Sequence, residues 1–323
     1  MSSRLNKALA GSLTFLLLAV VQVFPKIPLL LAERFYSGAG WVQIIIMSVY
    51  AGWLAGQMTD PVAAQRLRPR IWLLFSLVFF SQLFLGLAGI ERLLMTGRLH
   101  LPLPAMIIAG PLYRGGDFFM PILFTVTVLL VGPAWCSHLC YIGAWDDLCS
   151  RSSVLDKPLP GWWPAGRLAV LVFVVLCASL LRYLQLGWAW ALTVSLLFGL
   201  AGILIMLLVS RKLGLMAHCT MFCPMGLIGN WLGRLSPWRM RISDGCHGCM
   251  QCSRVCRYSA LSAENIRARL VGRSCTLCGD CVAACRSGQI DYSLPLMSKE
   301  IPRAVFVILI TTLHAVFLAV ARI

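Results

Sequence analysis

Long apolar runs, separated by short polar segments, make up most of this chain. Seven of them are about 16 to 22 residues long, close to the roughly 20 residues with which a helix crosses the hydrocarbon core of a bilayer. They lie at 8–24, 42–58, 71–90, 118–133, 168–186, 188–209 and 304–320. The pattern predicts an all-α integral membrane bundle of six or seven helices. No clear small-residue cleavage site follows the first run, so we interpret it as an uncleaved anchor.

The segment 91–117 fits neither a free loop nor a straight span. Its part LPLPAMIIAGPLYRGGD is too apolar for a loop and too rich in proline for a span. We expect it to lie on the outer membrane surface or to re-enter the membrane. Arg114 and Asp117 at its end have two interpretations, an interfacial polar pair or a polar corner of a quinone or partner site.

Composition agrees with a membrane protein. Of the 323 residues 59% are hydrophobic and 12% are charged, with a mean hydropathy of +0.81, whereas soluble domains are about a quarter charged. The net charge of +16 lies beside apolar spans and cysteines. It therefore does not indicate nucleic-acid binding.

Basic residues orient the chain. If the N-terminus is inside, the inner segments hold most of the 28 Lys and Arg residues. Outside the long cysteine-bearing loop they are Arg4, Lys7, Arg66, Arg68, Arg70, Arg151, Lys157 and Arg167. Because positive charge favours the inner side, we expect an inner-membrane protein whose long loop between the sixth and seventh spans is cytoplasmic.

Eight of the 14 cysteines repeat the spacing C-x2-C-x2-C-x3-C, once in CHGCMQCSRVC and once in CTLCGDCVAAC. This is the spacing of a two-cluster bacterial ferredoxin, in which three cysteines of one run and the last of the other hold each [4Fe–4S] cluster. The predicted ligands are Cys246, Cys249, Cys252 and Cys285 for the first cluster, and Cys275, Cys278, Cys281 and Cys256 for the second.

Two alternatives fit these runs less well. Zinc prefers two C-x2-C pairs set well apart, and disulfide frameworks are typical of small secreted domains. One departure from the ferredoxin pattern is that Arg257 and Arg286 stand where proline usually follows the fourth cysteine.

A second cysteine set is duplicated at the inner ends of the fourth and sixth spans. Aligning Cys136 with Cys219 also aligns Cys140 with Cys223, and Gly143 with Gly226. Cysteines at i and i+4 would share one helix face, so the four thiolates could hold a third [4Fe–4S] cluster between facing repeats. Redox-active thiols, a metal such as copper and plain packing remain alternatives. Tyr141 replaces the proline that follows Cys223.

Other polar residues near or within the spans are candidates with several interpretations. His138 and His218 beside the C-x3-C motifs could be ligands, hydrogen-bond donors to cluster sulfurs or interfacial residues. Asp146 and Asp147 could accept a quinone's proton or cap a helix. His314 stands alone in the last span. A b-type haem needs two axial ligands, and the sequence offers no obvious second one.

These motifs together resemble the NapH/NosR/CcoG group of membrane-bound polyferredoxins. The resemblance rests on CSHLC at Cys136–Cys140, HCTMFCP at His218–Pro224 and the paired ferredoxin runs, and it covers roughly residues 118–291. It implies electron transfer between the quinone pool, cytoplasmic donors and periplasmic reductases, or a role in metalloenzyme assembly.

The sequence therefore predicts four segments: outer-loop and membrane helices (1–117), membrane helices with the C-x3-C motifs (118–235), an inserted cytoplasmic α+β ferredoxin-like domain (236–298) and a last span (299–323). The predicted function is an electron-transfer subunit linking its clusters to a quinone or to other redox subunits. The alternative is a maturation factor that reduces or hands over a metal through the C-x3-C pairs.

Overall fold

The computed structural model describes residues 2–94, 101–153, 159–295, 297 and 301–320. Three sequence predictions touch residues outside these ranges. They concern Lys157 in the basic count, residues 95–100 of the apolar loop and the segment boundary at 298/299.

Helices dominate the described part of the chain. In order they are α1 (Ser3–Val23), α2 (Leu31–Phe35), α3 (Ala39–Met58), α4 (Pro61–Leu87), α5 (Met106–Arg114), α6 (Phe119–Val131), α7 (Tyr141–Ser150), α8 (Trp163–Tyr183), α9 (Trp188–Leu204), α10 (Arg211–Leu213), α11 (Pro224–Leu232), α12 (Gln251–Val255), α13 (Ala263–Arg267), α14 (Asp280–Ala284) and α15 (Ile301–Val320). The strands β1 (Arg239–Ile242) and β2 (Ile290–Ser293) form a two-stranded sheet.

Seven helices in the described residues are long and apolar enough to cross a membrane, which confirms the predicted number of spans. The fourth span continues from α6 to Leu139 through one turn that is tighter than an α-helix (Gly132–Ala134) and one that is wider (Trp135–Leu139). The sixth span continues from α9 to Leu213. Many of their large apolar side chains face outward, as expected where lipid rather than protein covers the helix.

By its internal contacts the chain divides into two compact units, 1–99 with 292–323, and 100–291. In the first unit α1, α3, α4 and α15 enclose an apolar core that includes Leu54 and Val307. Close packing of α1 on α3 depends on Gly52, because a Cβ there would lie 2.8 Å from the backbone oxygen of Lys7. His314 is buried in this unit, with Nε2 3.1 Å from the Tyr50 hydroxyl.

The second unit contains both duplicated motifs and all eight ferredoxin-type cysteines. Its apolar loop forms α5, which packs on α8, and the Tyr113 hydroxyl donates to the Leu186 backbone oxygen at 2.7 Å. In β1 the side chains alternate, with Met240 and Ile242 buried. The short helices α12 and α14 lie within the two cysteine runs, and α13 lies between the runs.

Candidate iron–sulfur sites

The eight ferredoxin-type cysteines form two groups in the structure. One lines a cavity of about 270 Å³ with Cys246, Cys249, Cys252 and Cys285. The other lines a second cavity with Cys256, Cys275, Cys278 and Cys281. Each group combines three cysteines of one run with the last cysteine of the other, as the spacing predicted. Their ligation of iron remains a prediction.

Both runs bend in the same way. After the first cysteine, the second and fourth residues have positive φ: Gly248 (69°) and Met250 (60°) in one run, Leu277 (57°) and Gly279 (83°) in the other. Alternating left-handed residues turn successive backbone N–H groups toward one side, which creates an anion-binding concavity. The loops are therefore shaped for a negatively charged group.

Amide hydrogen bonds also reach the last sulfur of each run. Ala260 donates its N–H to Cys256 Sγ at 3.3 Å, and Gln289 donates to Cys285 Sγ at 3.2 Å, four residues further in both cases. Partial burial raises the pKa of Cys285, but hydrogen bonds from Ser287 and Gln289 outweigh it, so that the pKa is lowered overall. Such donors favour a thiolate, the form that binds iron.

The duplicated motifs have the same unusual backbone. In each a single wide turn closes with a hydrogen bond over five residues, from Cys140 N to the Trp135 oxygen (3.0 Å) and from Cys223 N to the His218 oxygen (2.8 Å). The second cysteine of each motif is extended. The prediction that both cysteines share one regular helix face is therefore wrong, because the wide turn ends the helix between them.

A new helix begins directly after each second cysteine. The sulfur of Cys140 accepts N–H groups of Ile142 and Gly143, and that of Cys223 accepts those of Met225 and Gly226. These are first-turn amides, which have no partner inside the helix and lie at its positive end. Tyr141 and Pro224 occupy the same first helical position, where proline is favoured but not required.

The structure brings the four C-x3-C thiols together in one buried place. Burial, and after it the charge of Cys223, raise the pKa of Cys140 to about 12. The pKa of Cys219 is also raised, by burial and then by Asp146, Cys223, Cys140 and Cys136. Four thiolates so close together need a positively charged centre, and iron supplies one. This donor set fits a [4Fe–4S] cluster.

Asp146 holds the two motifs together. It is fully buried on α7, and its Oδ2 accepts the backbone N–H of Cys219 at 2.9 Å. Asp147 pairs with Arg151 at 2.6 Å, and a role of either carboxylate in accepting a quinone's proton remains a prediction. Asp146, His218 and Cys219 also place one ligand atom each within 4.8 Å of one another, a set that could hold a single metal ion.

The two histidines lie in different surroundings. His138 is buried with Nδ1 3.0 Å from the Ser137 hydroxyl. Burial lowers the pKa of His218 to about 4, and its ring packs near Phe222. His218 is therefore neutral at pH 7. Whether either histidine donates to a sulfur remains a prediction.

The second ferredoxin-type group lies directly against the first C-x3-C motif. The Ser137 hydroxyl donates to the Thr276 oxygen at 2.8 Å. Gly132 leaves room for Leu277, whose Cδ1 would be 2.7 Å from a Cβ at that position. Arg151, directly after α7, also forms a salt bridge of 3.1 Å with Asp280 at the start of α14.

Arg257, which stands where ferredoxins usually have proline, is a further anchor. Its guanidinium donates to the backbone oxygens of Ser150 (2.5 Å) and Gly214 (2.8 Å). Its own backbone oxygen accepts from Met216 N at 3.0 Å. Arg286, at the matching position of the other run, is exposed.

Arg114 is the last residue of α5, and Asp117 follows it before the start of α6. They form a salt bridge of 2.9 Å, and their side chains are 30% and 51% exposed. Sequence reasoning missed a different polar residue, Arg167 near the start of α8, which is buried and donates to the Cys219 backbone oxygen at 3.4 Å. The sequence does show a single Arg directly before the apolar run 168–186. That residue was used only as evidence for the orientation of the chain in the membrane.

A family model described as a 4Fe-4S binding domain matches residues 117–160 and 186–243. The matched ranges contain both C-x3-C motifs. The "Putative electron transport protein YccM" of Escherichia coli K12 is 25% identical over 240 residues, covering 67% of this chain and 64% of the relative. The "Ferredoxin-type protein NapH" of the same organism is 29% identical over 183 residues, 51% of this chain and 63% of the relative.

The alignment thus covers slightly less than two thirds of each relative, and no solved structure shows significant similarity to the chain. The matches support the resemblance to NapH-type polyferredoxins and the presence of iron–sulfur clusters. The seven membrane-length helices of the described residues agree with a protein embedded in a membrane.

Proposed function

We propose that this relative of the NapH-type polyferredoxins is an integral-membrane electron-transfer subunit that passes electrons between cytoplasmic [4Fe–4S] sites and a membrane quinone or a partner redox subunit. Bound [4Fe–4S] clusters would supply reversible one-electron transfer. The observation that carries the proposal is the hydrogen bond from Ser137 to Thr276, which links the membrane motif to a ferredoxin-type cysteine loop.

The two ferredoxin-type groups differ in accessibility, which suggests an order. In the group that contains Cys246, Cys249 is exposed to solvent. Arg286, which lines the same cavity, is exposed as well. The group of Cys275 lies against the motif of Cys136. We therefore propose that the more exposed group exchanges electrons with a partner, and that the less exposed group connects it to the membrane site.

We place the ferredoxin-like segment on the cytoplasmic side because the short basic loops favour that orientation. Fusing a reporter that is active only in the cytoplasm after residue 270, and a periplasmic reporter after Gly116, tests the orientation. We expect activity from both fusions, and the opposite pattern would reverse the assignment.

Counting iron tests the proposed function. We expect anaerobically purified protein to be coloured and to hold about twelve iron atoms with labile sulfide. The double variant C136S/C219S should lose about four of them and keep the others, as should C275S/C281S. A colourless, iron-free protein would refute the proposal. A wild-type count of about eight that C136S/C219S leaves unchanged would remove the membrane cluster from it.

One observation favours a second function, a maturation factor that reduces or hands over a metal. Asp146, His218 and Cys219 could bind a single ion, with electrons supplied by the ferredoxin-like segment. About eight iron atoms plus copper per chain would support this function. We expect H218A then to lose copper and keep iron, whereas in a cluster protein it would change the iron count little.

A quinone or partner contact at Arg114 and Asp117 is also part of the proposal. Because these side chains already pair with each other, a quinone oxygen would have to compete for the guanidinium. R114A should raise the quinol concentration needed for half-maximal cluster reduction. An unchanged concentration would place the quinone elsewhere.

A further inference from the structure

Arg167 is a buried cation beside the second C-x3-C motif. It is 4% exposed, and its Nη2 donates to the backbone oxygen of Cys219 at 3.4 Å. Its Nε has no hydrogen-bond partner in the described part of the chain. Because a buried cation without a counter-charge is costly, this position indicates an anionic group at the motif.

Gly226 gives the guanidinium its space. A Cβ at this position would lie 2.7 Å from Arg167 Nη2 and 2.6 Å from the Cys219 backbone oxygen. The same residue offers its N–H to Cys223. The glycine of the second motif thus leaves room for the guanidinium next to the Cys219 backbone and offers its own amide to Cys223.

Asp146 carries the opposite charge at the same motif. It accepts the backbone N–H of Cys219, and Arg167 donates to the backbone oxygen of the same residue. One carboxylate oxygen of Asp146 is used by Cys219 N, and the other, Oδ1, is buried without a hydrogen-bond partner among the described residues. One buried positive and one buried negative side chain therefore contact the backbone of Cys219.

We propose that Arg167 is the counter-charge of the C-x3-C site, where its guanidinium stabilises the negative charge of a thiolate-held iron–sulfur group and Asp146 opposes it. Reduction by one electron makes such a group more negative by one charge. A nearby cation stabilises the reduced form and raises the reduction potential, whereas an anion lowers it. Arg167 thus tunes the group without binding it. This inference rests on the proposed function.

Redox titration of the full-length protein tests the inference. The centres of wild type, R167Q, R167K and D146N are titrated anaerobically with dithionite and followed by electron paramagnetic resonance, with iron counted in parallel. The control is R182Q at the opposite end of α8, because Arg182 is exposed and donates to the Leu112 backbone oxygen.

In R167Q we expect the equilibrium constant for one-electron reduction of the C-x3-C centre to fall at least tenfold. This corresponds to a reduction potential that is lower by about 59 mV. R167K should retain most of the wild-type potential, and D146N should shift it upward. The two ferredoxin-type centres and R182Q should not change.

Failure of the inference and failure of the function give different results. If wild type lacks a C-x3-C centre, the proposed membrane cluster is absent and the inference falls with it. If wild type has the centre and R167Q keeps its iron with an unchanged potential, only the inference is overturned. If R167Q loses the iron, R167K must keep it; loss in both would indicate packing rather than charge.

Discussion

The Ser137 hydroxyl lies 2.8 Å from the Thr276 backbone oxygen and donates a hydrogen bond to it. Both residues are buried. Because Ser137 lies between the two cysteines of the first C-x3-C motif, and Thr276 directly follows Cys275, the bond joins two cysteine sites. Contact at this point connects the membrane helices to the second ferredoxin-type group.

Replacing Ser137 with alanine should weaken this contact. The Thr276 oxygen would be left buried without its donor, which costs about 1–3 kcal/mol of unfolding free energy. Denaturant titration of the detergent-solubilised protein measures the change. S152A, at an exposed serine after α7, is the control and should stay within about 0.5 kcal/mol of wild type. Equal stability of the two variants would show that the hydrogen bond contributes little.

Arg257 should matter more than Arg286, although both replace the proline of the ferredoxin pattern. R257A removes hydrogen bonds from a charged donor to the oxygens of Ser150 and Gly214, which should cost about 1.5–3 kcal/mol. R286A removes an exposed side chain and should be nearly neutral. Limited proteolysis and thermal unfolding of both variants test the difference. Similar losses in both would mean that the residue after the fourth cysteine acts on the loop rather than as an anchor.

Arg151 stabilises two buried carboxylates at once. Asp147 and Asp280 have side chains that are 3% and 5% exposed, and both pair with this one guanidinium. R151A would remove the cation that both buried carboxylates share, so we expect a loss of about 2–4 kcal/mol of unfolding free energy. R151K should recover only part of the lost unfolding free energy, because an ammonium group cannot match the planar geometry of the guanidinium.

The exposed pair of Arg114 and Asp117 is the matched comparison for Arg151. It is largely solvated, so R114A should change the unfolding free energy by less than about 1 kcal/mol. High salt should reduce that small effect further and leave the effect of R151A nearly unchanged. If salt abolished the R151A effect, the Arg151 pairs would have to be solvated in solution.

Local patterns in the sequence were enough for the spans and for the cysteine grouping. Span length follows from bilayer thickness, and the crossed grouping of Cys246 with Cys285 follows from spacing, so both needed no knowledge of distant contacts. The duplicated motif was also recognisable, since Cys136 and Cys219 align together with their glycines.

Long-range contacts could not be predicted in this way. The wide turns after Trp135 and His218 break the regular helix that C-x3-C spacing predicts, and no local residue preference announces such a turn. Asp146 bonds to an amide 73 residues away. In the sequence Arg167 counted only among the basic residues that indicate the orientation of the chain in the membrane. Only the folded chain places it next to Cys219 of the second motif.

Gly226 should tolerate no side chain. In G226A the new Cβ would lie 2.6 Å from backbone and 2.7 Å from Arg167, and overpacking of this kind costs about 1–3 kcal/mol. We expect loss of the C-x3-C iron with the ferredoxin-type iron retained, measured by iron content and visible absorption. G161A is the control, because no atom lies within 4 Å of a Cβ there. Full iron in G226A would show that the helix shifts to make room.

The hydrogen bond between Tyr50 and His314 should stabilise the first unit. Both residues lie near the middle of long apolar helices, α3 and α15, where side-chain hydrogen bonds contribute about 0.6 kcal/mol on average and up to about 1.7 kcal/mol. Y50F removes the hydroxyl but keeps the ring that lies beside Trp53. We therefore expect a loss in that range in an unfolding titration, with all iron retained because the cysteine sites belong to the other unit. Y36F is the control, since Tyr36 is 76% exposed. A Y50F protein as stable as Y36F would contradict the prediction, and a loss of iron in Y50F would show that His314 affects the cysteine sites.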